Sequence, residues 1–473
     1  MTPSLALARW LLALCALPLL AQAAPVPEST LQQARQLRDQ ALVDDTAYAL
    51  LRDLTTQIGP RLAGTEAEAR ARQWSVRALQ QLGFDRDQIR IERFELDGWV
   101  RGEEWARVTA PYPQPLVVTA LGDSGATGPI PVEAEVVLFE SIEDVEALTE
   151  GALTGKIAYV SHAMGKTQDG SSYAYFGKTR FDGPGIAASK GAQAILIRSV
   201  GTQSHRMAHT GSTKWPEGQT PIPALALSQP DADQLERMAA DGETIQVAIK
   251  ATPRFVGKTR SANLIVDLPG SDRGEEIIIT GGHLDSWDLG TGAVDDGAGI
   301  AITTAAVDLI RRSGLQPRRT IRLVHWGAEE VGLLGAKAYA EAHADELDQH
   351  QLGSESDFGA GRVYNIGADL PAAADPVVDA MLRLLAPLGV GQTARDYTGS
   401  SGPDLSPLND LGLPSFRLLQ DGTDYFDLHH TPDDTLDKVD LGDLRQNVAA
   451  WAAFLYIASE MDGDFGRLPV KGE

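Results

Sequence analysis

Three consecutive isoleucines, Ile277-Ile278-Ile279, run through Thr280 into Gly281-Gly282-His283-Leu284-Asp285. A strand with no polar alternation is apolar on both faces, and it is stable only where both faces are covered. The surrounding sequence supplies the cover. Strand-like runs at Ala262 to Asp267, Glu276 to Thr280 and Thr320 to Trp326 alternate with helical patterns after Asp296 and through Leu333 to His343. That alternation predicts an α/β fold, a three-layer α/β/α domain around a largely parallel mixed sheet. Open sheets of this class place their ligand sites beyond the carboxyl ends of the strands, where His283 and Asp285 fall.

At 473 residues the chain exceeds one ordinary domain. Met1 to Arg9 carries one positive charge, Trp10 to Leu20 is nearly all apolar, and Ala21-Gln22-Ala23 offers a small-x-small cleavage site, so residues 1–23 read as a secretory signal peptide. The apolar run is shorter than the roughly 20 residues that span a bilayer, and no later stretch approaches that length. A soluble mature protein without a membrane anchor is expected, periplasmic or extracellular in a bacterium.

Residues 24–110 open the main domain. Leu31 to Leu54 and Thr65 to Leu82 carry apolar residues at mixed three- and four-residue spacing, which predicts two amphipathic helices, and Gln88 to Leu96 alternates as a strand. Residues 111–252 differ. Short β-like runs at Pro115 to Leu121, Val132 to Phe139, Lys156 to Val160, Ala194 to Arg198 and Thr244 to Ile249 are separated by Gly and Pro, with helical patterns only at Ile142 to Thr149 and Gly185 to Lys190. This predicts an inserted, mostly β module between the two parts of the main domain, whose core resumes over residues 253–465.

With 65 acidic against 41 basic residues the net charge is −24. Nucleic acid is an unsuitable partner, since phosphate neutralisation needs basic patches. The only cysteine, Cys15, lies in the signal segment after Leu14, where a lipoprotein signal would have a small residue, so lipidation is not expected. The mature chain then has no cysteine, and any metal must be held by His, Asp or Glu.

Candidates of those types recur beyond strand-like segments. Gly292-Ala293-Val294-Asp295-Asp296-Gly297-Ala298-Gly299 is a glycine-rich turn entering a helix, and its acids taken alone read more often as helix N-terminal residues than as ligands. Ala328-Glu329-Glu330-Val331-Gly332 follows the next strand. Two adjacent carboxylates suit a metal site, where one ligates and the other handles a proton, although singly they read as solvated glutamates. Ser356-Asp357-Phe358-Gly359, placed after a helix, and His429-His430-Thr431-Pro432-Asp433-Asp434-Thr435 complete the set. His283, Asp295, Glu330, Asp357 and His430 together supply five imidazole and carboxylate donors suited to zinc.

The ordered motifs H-L-D, D-D-G-A-G, A-E-E-x-G, S-D-F-G and H-H-T-P-D-D-T resemble those of the aminopeptidase Y family of co-catalytic zinc exopeptidases. The similarity covers most of the mature chain, including Gly282 to Asp288 and, in the inserted region, Leu196 to Val200 and His209-Thr210-Gly211. Those inserted motifs imply a protease-associated domain. The resemblance implies two zinc ions per subunit, bridged by Asp295, with His283 and Asp357 completing one site and Glu330 with His430 the other. Glu329 would be the general base, taking a proton from the attacking water and passing it to the leaving amine. Asp285 would accept the second imidazole N–H of His283 and fix its tautomer. Asp434 would brace the loop after the final histidine, and His429 matches no ligand position.

Two rival classes stay open: a non-catalytic binding protein on the same fold, and a single-zinc enzyme of the glutaminyl cyclase kind. Both fit poorly with a complete set of ligands and base. Short peptides with free termini are the expected substrates; aminopeptidase, dipeptidase and carboxypeptidase action are not separated. His162, His205 and His209 have no metal-ligand spacing, and His209 is a candidate for lining the cleft, as are Asp396, Tyr397 and Asp404, which read equally as a surface loop. Whether the chain acts alone or as a homodimer is open.

Overall fold

The computed structural model describes residues 26–391, 393–394, 399–463 and 465–471. The segment expected to be a signal peptide, with Cys15, and the candidates Asp396 and Tyr397 lie outside the described residues.

One eight-stranded sheet carries the main domain, in the order Arg90–Val100, Arg254–Leu268, Arg319–Trp326, Arg273–His283, His350–Glu355, Ser415–Gln420, Val363–Asp369, Thr393–Ala394. The four strands from Arg319–Trp326 to Ser415–Gln420 run parallel, and antiparallel neighbours flank them. Strand alternation explains the three layers. Ile278, Ile321 and Leu323 pack with Ala301 and Ala305 of the helix Ala298–Arg312 and with Trp451 and Phe454 of the helix Leu441–Glu460. Their neighbours Ile277, Ile279, Val324 and Trp326 point the other way, onto Ala336 and Tyr339 of the helix Leu334–Ala342 and onto Leu408. Each aliphatic side chain buried this way contributes about 1.5–3 kcal/mol, so turning one strand over would forfeit several at once.

The sequence predicts one helix over Leu31 to Leu54, but the structure has two, Glu28–Ala41 and Thr46–Gln57. The break sits at Asp44, whose carboxylate accepts the N–H of Thr46 at 2.9 Å and offers the backbone an alternative to the helical bond. Asp357 follows a strand, His350–Glu355, and not a helix. That strand pairs parallel with Ile277 to Gly281, which brings Asp357 to the same sheet edge as His283.

A second eight-stranded sheet forms between Glu104 and Ala251, in the order Gln114–Leu116, Glu104–Ala110, Gln246–Ala251, Val132–Phe139, Ile157–Val160, Ala194–Arg198, Ala224–Leu227, Val118–Ala120. It begins with a strand that precedes the compositional change at Pro111, and it carries more helix than the sequence pattern suggests, adding Tyr173–Phe181 and Gln229–Ala240. Gln229-Pro230 looks like a turn, yet proline is at home in the first turn of a helix. Ser228 caps it by accepting the N–H of Asp231, and Ala232, Leu235 and Met238 are buried against Leu225, Leu227 and Tyr159.

The two sheets are tied together near the carboxyl edge of the first. Arg101 donates to Asp288 at 2.8 Å, to the Ala120 carbonyl at 2.6 Å and to Thr210 at 3.0 Å. Tyr173 stacks on Phe426 with ring centres 4.8 Å apart. No helix among the described residues is long and apolar enough to cross a membrane.

Candidate metal centre and active-site cleft

Four parallel strands deliver the donors. His283 ends its strand, Glu329 and Glu330 follow Trp326, Asp357 follows Glu355, and His429 and His430 follow the short helix Tyr425–Leu428 reached from Ser415–Gln420. Asp295 comes from the turn before the helix Ala298–Arg312. The strand and that turn approach closely, because a Cβ on Gly282 would lie 2.4 Å from the Asp296 carboxylate. All five proposed ligand positions converge.

Asp295 sits between the two histidines. Its Oδ1 is 3.1 Å from Nε2 of His283, and its Oδ2 is 3.3 Å from Nε2 of His430. Asp357 lies 3.7 Å from the same nitrogen of His283, and Glu330 lies 2.9 Å from that of His430. The far side of each ring is already committed: Nδ1 of His283 donates to the Asp285 carbonyl at 3.0 Å, and Nδ1 of His430 donates to the Thr210 carbonyl at 3.1 Å. In the neutral rings the Nε2 lone pairs then face the carboxylates, the orientation in which both could bind a cation.

The structure corrects the expected role of Asp285. Its backbone carbonyl, not its carboxylate, holds His283; the carboxylate stands 3.7 Å from that Nδ1. The side chain instead accepts the backbone N–H groups of Glu329 at 3.1 Å and Glu330 at 3.3 Å. Asp285 thus fixes the turn that presents both glutamates.

Nothing in the sequence singles out His429, but it is buried here, its ring 3.5 Å from that of His430 and its Nε2 3.6 Å from Asp295 Oδ2. Donor atoms of Asp295, His429 and His430 lie within 4.8 Å of one another, as do those of His283, Asp295 and Glu330 and of His283, Asp296 and Asp357. Asp296 is already used, accepting the N–H groups of His283 and Gly299. Asp434 accepts the N–H groups of Val294 at 2.6 Å and Asp295 at 3.3 Å, so it braces the turn that carries Asp295. Arg61, fully buried, ties the end of the His283 strand to that turn by donating to the carbonyls of Leu284, Thr291 and Gly292.

Burial opposes charge on every group here. It acts to lower His430, yet Glu330 and Asp295 push that imidazole up to about 9, and His283 is likewise raised well above the usual range, against its burial, by Asp285, Asp295 and Asp357. Asp295 is held well below the carboxylate range, despite burial, by His283 and His430. Glu329 is pushed well above it by burial, and then by Asp357, Glu330 and Asp285. Crowded carboxylates thus demand positive charge. Asp295 Oδ2 and Glu330 Oε1 are buried without any hydrogen-bond partner, which is costly unless a cation meets them. The donor set, the paired tautomers and these orphaned oxygens fit a metal centre.

The donors open into a cleft of about 550 Å³ lined by residues of the main domain and of the inserted module. The main domain contributes Glu329, Glu330, Asp357, Phe358, Arg417 and Tyr425; the inserted module contributes Tyr173, Arg180, Phe181 and Lys214. His209 is not part of the lining. It lies behind the metal-site loop, buried and lowered to about 4 by that burial, with Nδ1 2.7 Å from the His429 carbonyl. Asp404 is no surface residue: it is buried, with its N–H donating to Glu355 at 2.8 Å, while Ser400, Pro403 and Ser406 of its loop reach the cleft. His162 and His205 stay outside the lining. Arg180, Tyr173 and Arg417 carry no sequence signal, because their neighbours in the cleft lie far away in the chain.

Residues 263–455 match the model of peptidase family M28. Carboxypeptidase Q of Mus musculus is 32% identical over 416 residues, which cover 88% of this chain and 86% of that protein. Aminopeptidase YwaD of Bacillus subtilis is 21% identical over 85% of this chain and 81% of its own. Among solved structures, a peptidase M28 precursor from Shewanella amazonensis superposes with a TM-score of 0.90 at 43% identity, covering 93% of this chain and 99% of that one. The zinc aminopeptidase BSAP from Bacillus subtilis superposes at 0.62 with 20% identity, covering 88% of this chain and 95% of its own, and shares the fold. The chain belongs to peptidase family M28, and with it to the metallo-exopeptidases.

Proposed function

We propose that the protein is an exported, dinuclear zinc exopeptidase acting on dipeptides or short peptides with free termini. The observation that carries this reading is the placement of Asp295, one oxygen toward His283 and the other toward His430. His283 and Asp357 would hold one zinc ion and Glu330 with His430 the other, with Asp295 shared. The similarity to proteins named as a carboxypeptidase and as zinc aminopeptidases supports the metal and the reaction class. The inserted module is read as a protease-associated domain that walls the cleft.

When bound, the zinc ions would supply Lewis acidity toward the peptide carbonyl and make water acidic enough to attack near neutral pH. The chain's own part is positional. Glu329, held by Asp285 through its backbone, lines the cleft as a carboxylate of raised proton affinity, suited to take a proton from water onto its side-chain oxygen and to release it to the leaving amine. The Tyr173–Phe426 stack helps close the wall of the cleft at the inserted module.

The test is hydrolysis of unblocked dipeptides against their N-acetylated and C-amidated forms, with zinc-loaded protein and a Glu329→Gln control. A requirement for the free amine alone marks an aminopeptidase, for the free carboxylate alone a carboxypeptidase, and for both a dipeptidase. Turnover no greater than that of the control on every peptide would contradict the proposal.

A further inference from the structure

Arg180, in the helix Tyr173–Phe181 of the inserted module, lines the cleft while being only 2% exposed. A guanidinium keeps its charge when buried and is ordinarily paired there. This chain has 65 acidic residues, yet among the described residues no carboxylate pairs with Arg180. Its Nη2 donates to the Tyr173 hydroxyl at 2.6 Å, and its Nε has no hydrogen-bond partner. Its Nη1 lies 3.3 Å from Nδ1 of His430. That nitrogen is no acceptor when Nε2 serves a metal, because its own hydrogen goes to the Thr210 carbonyl. Two guanidinium nitrogens are then left with donors to spare, one imidazole ring away from the metal centre.

The guanidinium is also held in place. It lies 4.4 Å from the ring centre of Phe181 and 5.5 Å from that of Tyr173. Gly211 closes another side, since a Cβ there would stand 2.5 Å from the guanidinium carbon. Lys214, 5.0 Å from the same Phe181 ring, likewise pairs with no carboxylate among the described residues. Two cations share one ring. Such a pair is unfavourable alone and becomes favourable once an anion joins it.

We propose that Arg180 binds the free α-carboxylate of the residue on the leaving side of the scissile bond, so that the enzyme releases a single C-terminal residue, from dipeptides above all. A carboxylate is planar and matches the guanidinium fork. One residue spans at most about 3.3–3.6 Å, so with a single residue beyond a scissile carbonyl at the metal centre, its carboxylate falls in the neighbourhood of a group standing behind His430. This rests on the peptidase reading of the site and adds the side chain that selects its substrates.

The experiment compares kcat/KM for a panel of unblocked dipeptides and their C-terminal amides, in wild type, Arg180→Gln and Arg180→Lys. Wild type is expected to favour the acid by roughly 30-fold or more, the scale of losing one partner of a buried charged pair, with the difference carried by KM. Arg180→Gln should bring the ratio to within a few-fold of one, and Arg180→Lys, which keeps charge without the fork, should fall between. Should the glutamine variant fail to fold, the lysine variant decides. A wild-type ratio near one, or equal losses on acid and amide, overturns the proposal and assigns Arg180 to the reacting carbonyl or to the fold. If wild type hydrolyses nothing, the peptidase reading alone falls. Calorimetric binding of the same acids and amides then decides: binding of the acid weakened specifically by Arg180→Gln supports the carboxylate site, and equal binding refutes it.

Discussion

The carboxylate of Asp285 accepts the backbone N–H of Glu329 at 3.1 Å and, with its other oxygen, that of Glu330 at 3.3 Å. One side chain therefore sets the turn that offers both glutamates to the cleft. An asparagine can accept only one of those N–H groups and turns a donor toward the other. Asp285→Asn should retain zinc, because His283 is held by the backbone carbonyl of residue 285, and should lose about 10–100-fold in kcat. Zinc analysis beside steady-state kinetics checks this; loss of zinc with normal kcat in the loaded enzyme would return the carboxylate to His283.

Arg61 donates to carbonyls on either side of the metal-site turn and meets no carboxylate within ion-pair distance among the described residues. Replacing it by methionine keeps apolar bulk but leaves the carbonyls of Leu284 and Thr291 without that donor, at about 1–3 kcal/mol each, and leaves the Gly292 carbonyl with the Gly297 N–H alone. Arg61→Met should lower the thermal midpoint by many degrees and weaken zinc binding, since the turn from Gly292 to Asp295 loses its anchor. An unchanged melting curve would show that the turn is held by Asp434 alone.

His325 is buried between the hydroxyls of Ser75, at 2.7 Å, and Thr304, at 2.8 Å, and burial lowers it to about 3 from the ordinary 6.5. Between those values the unfolded chain binds a proton that the folded one does not. Its contribution is therefore complete above pH 6.5 and is lost as pH falls toward 3, at about 1.4 kcal/mol per pH unit. Urea unfolding of metal-free His325→Gln should be less stable than wild type at pH 7, with the gap closing as pH falls from 6.5 to 4. Parallel stability curves would contradict this.

The legible part of this protein is the part written in local pattern. Ile277 to Ile279 announces a strand covered on both faces, and His283, Glu330 and Asp357 follow strand ends, so with Asp295 and His430 they can be picked out as candidates. What the pattern hides is set by side-chain direction and distant partners. Asp285 is two residues from His283, but its carboxylate reaches a turn 44 residues away. His429 meets the centre through its ring, stacked on His430, and through its Nε2, 3.6 Å from Asp295 Oδ2. Arg180 lies 250 residues from His430 in sequence, and only the packing of the inserted module against the main domain brings them together. Asp404 sits among glycines and serines that suggest an exposed loop, whereas Glu355 draws its backbone into the core.

In the proposed enzyme one carboxylate, Asp295, would organise two zinc ions for peptide hydrolysis. Stepwise addition of zinc to the metal-free enzyme, with dipeptide hydrolysis followed at each addition, tests it most directly. Activity should rise to its plateau at two equivalents per chain in the wild type, and Asp295→Asn should fail to reach it. Full activity with a single equivalent, or an Asp295→Asn variant that titrates like the wild type, would contradict the claim.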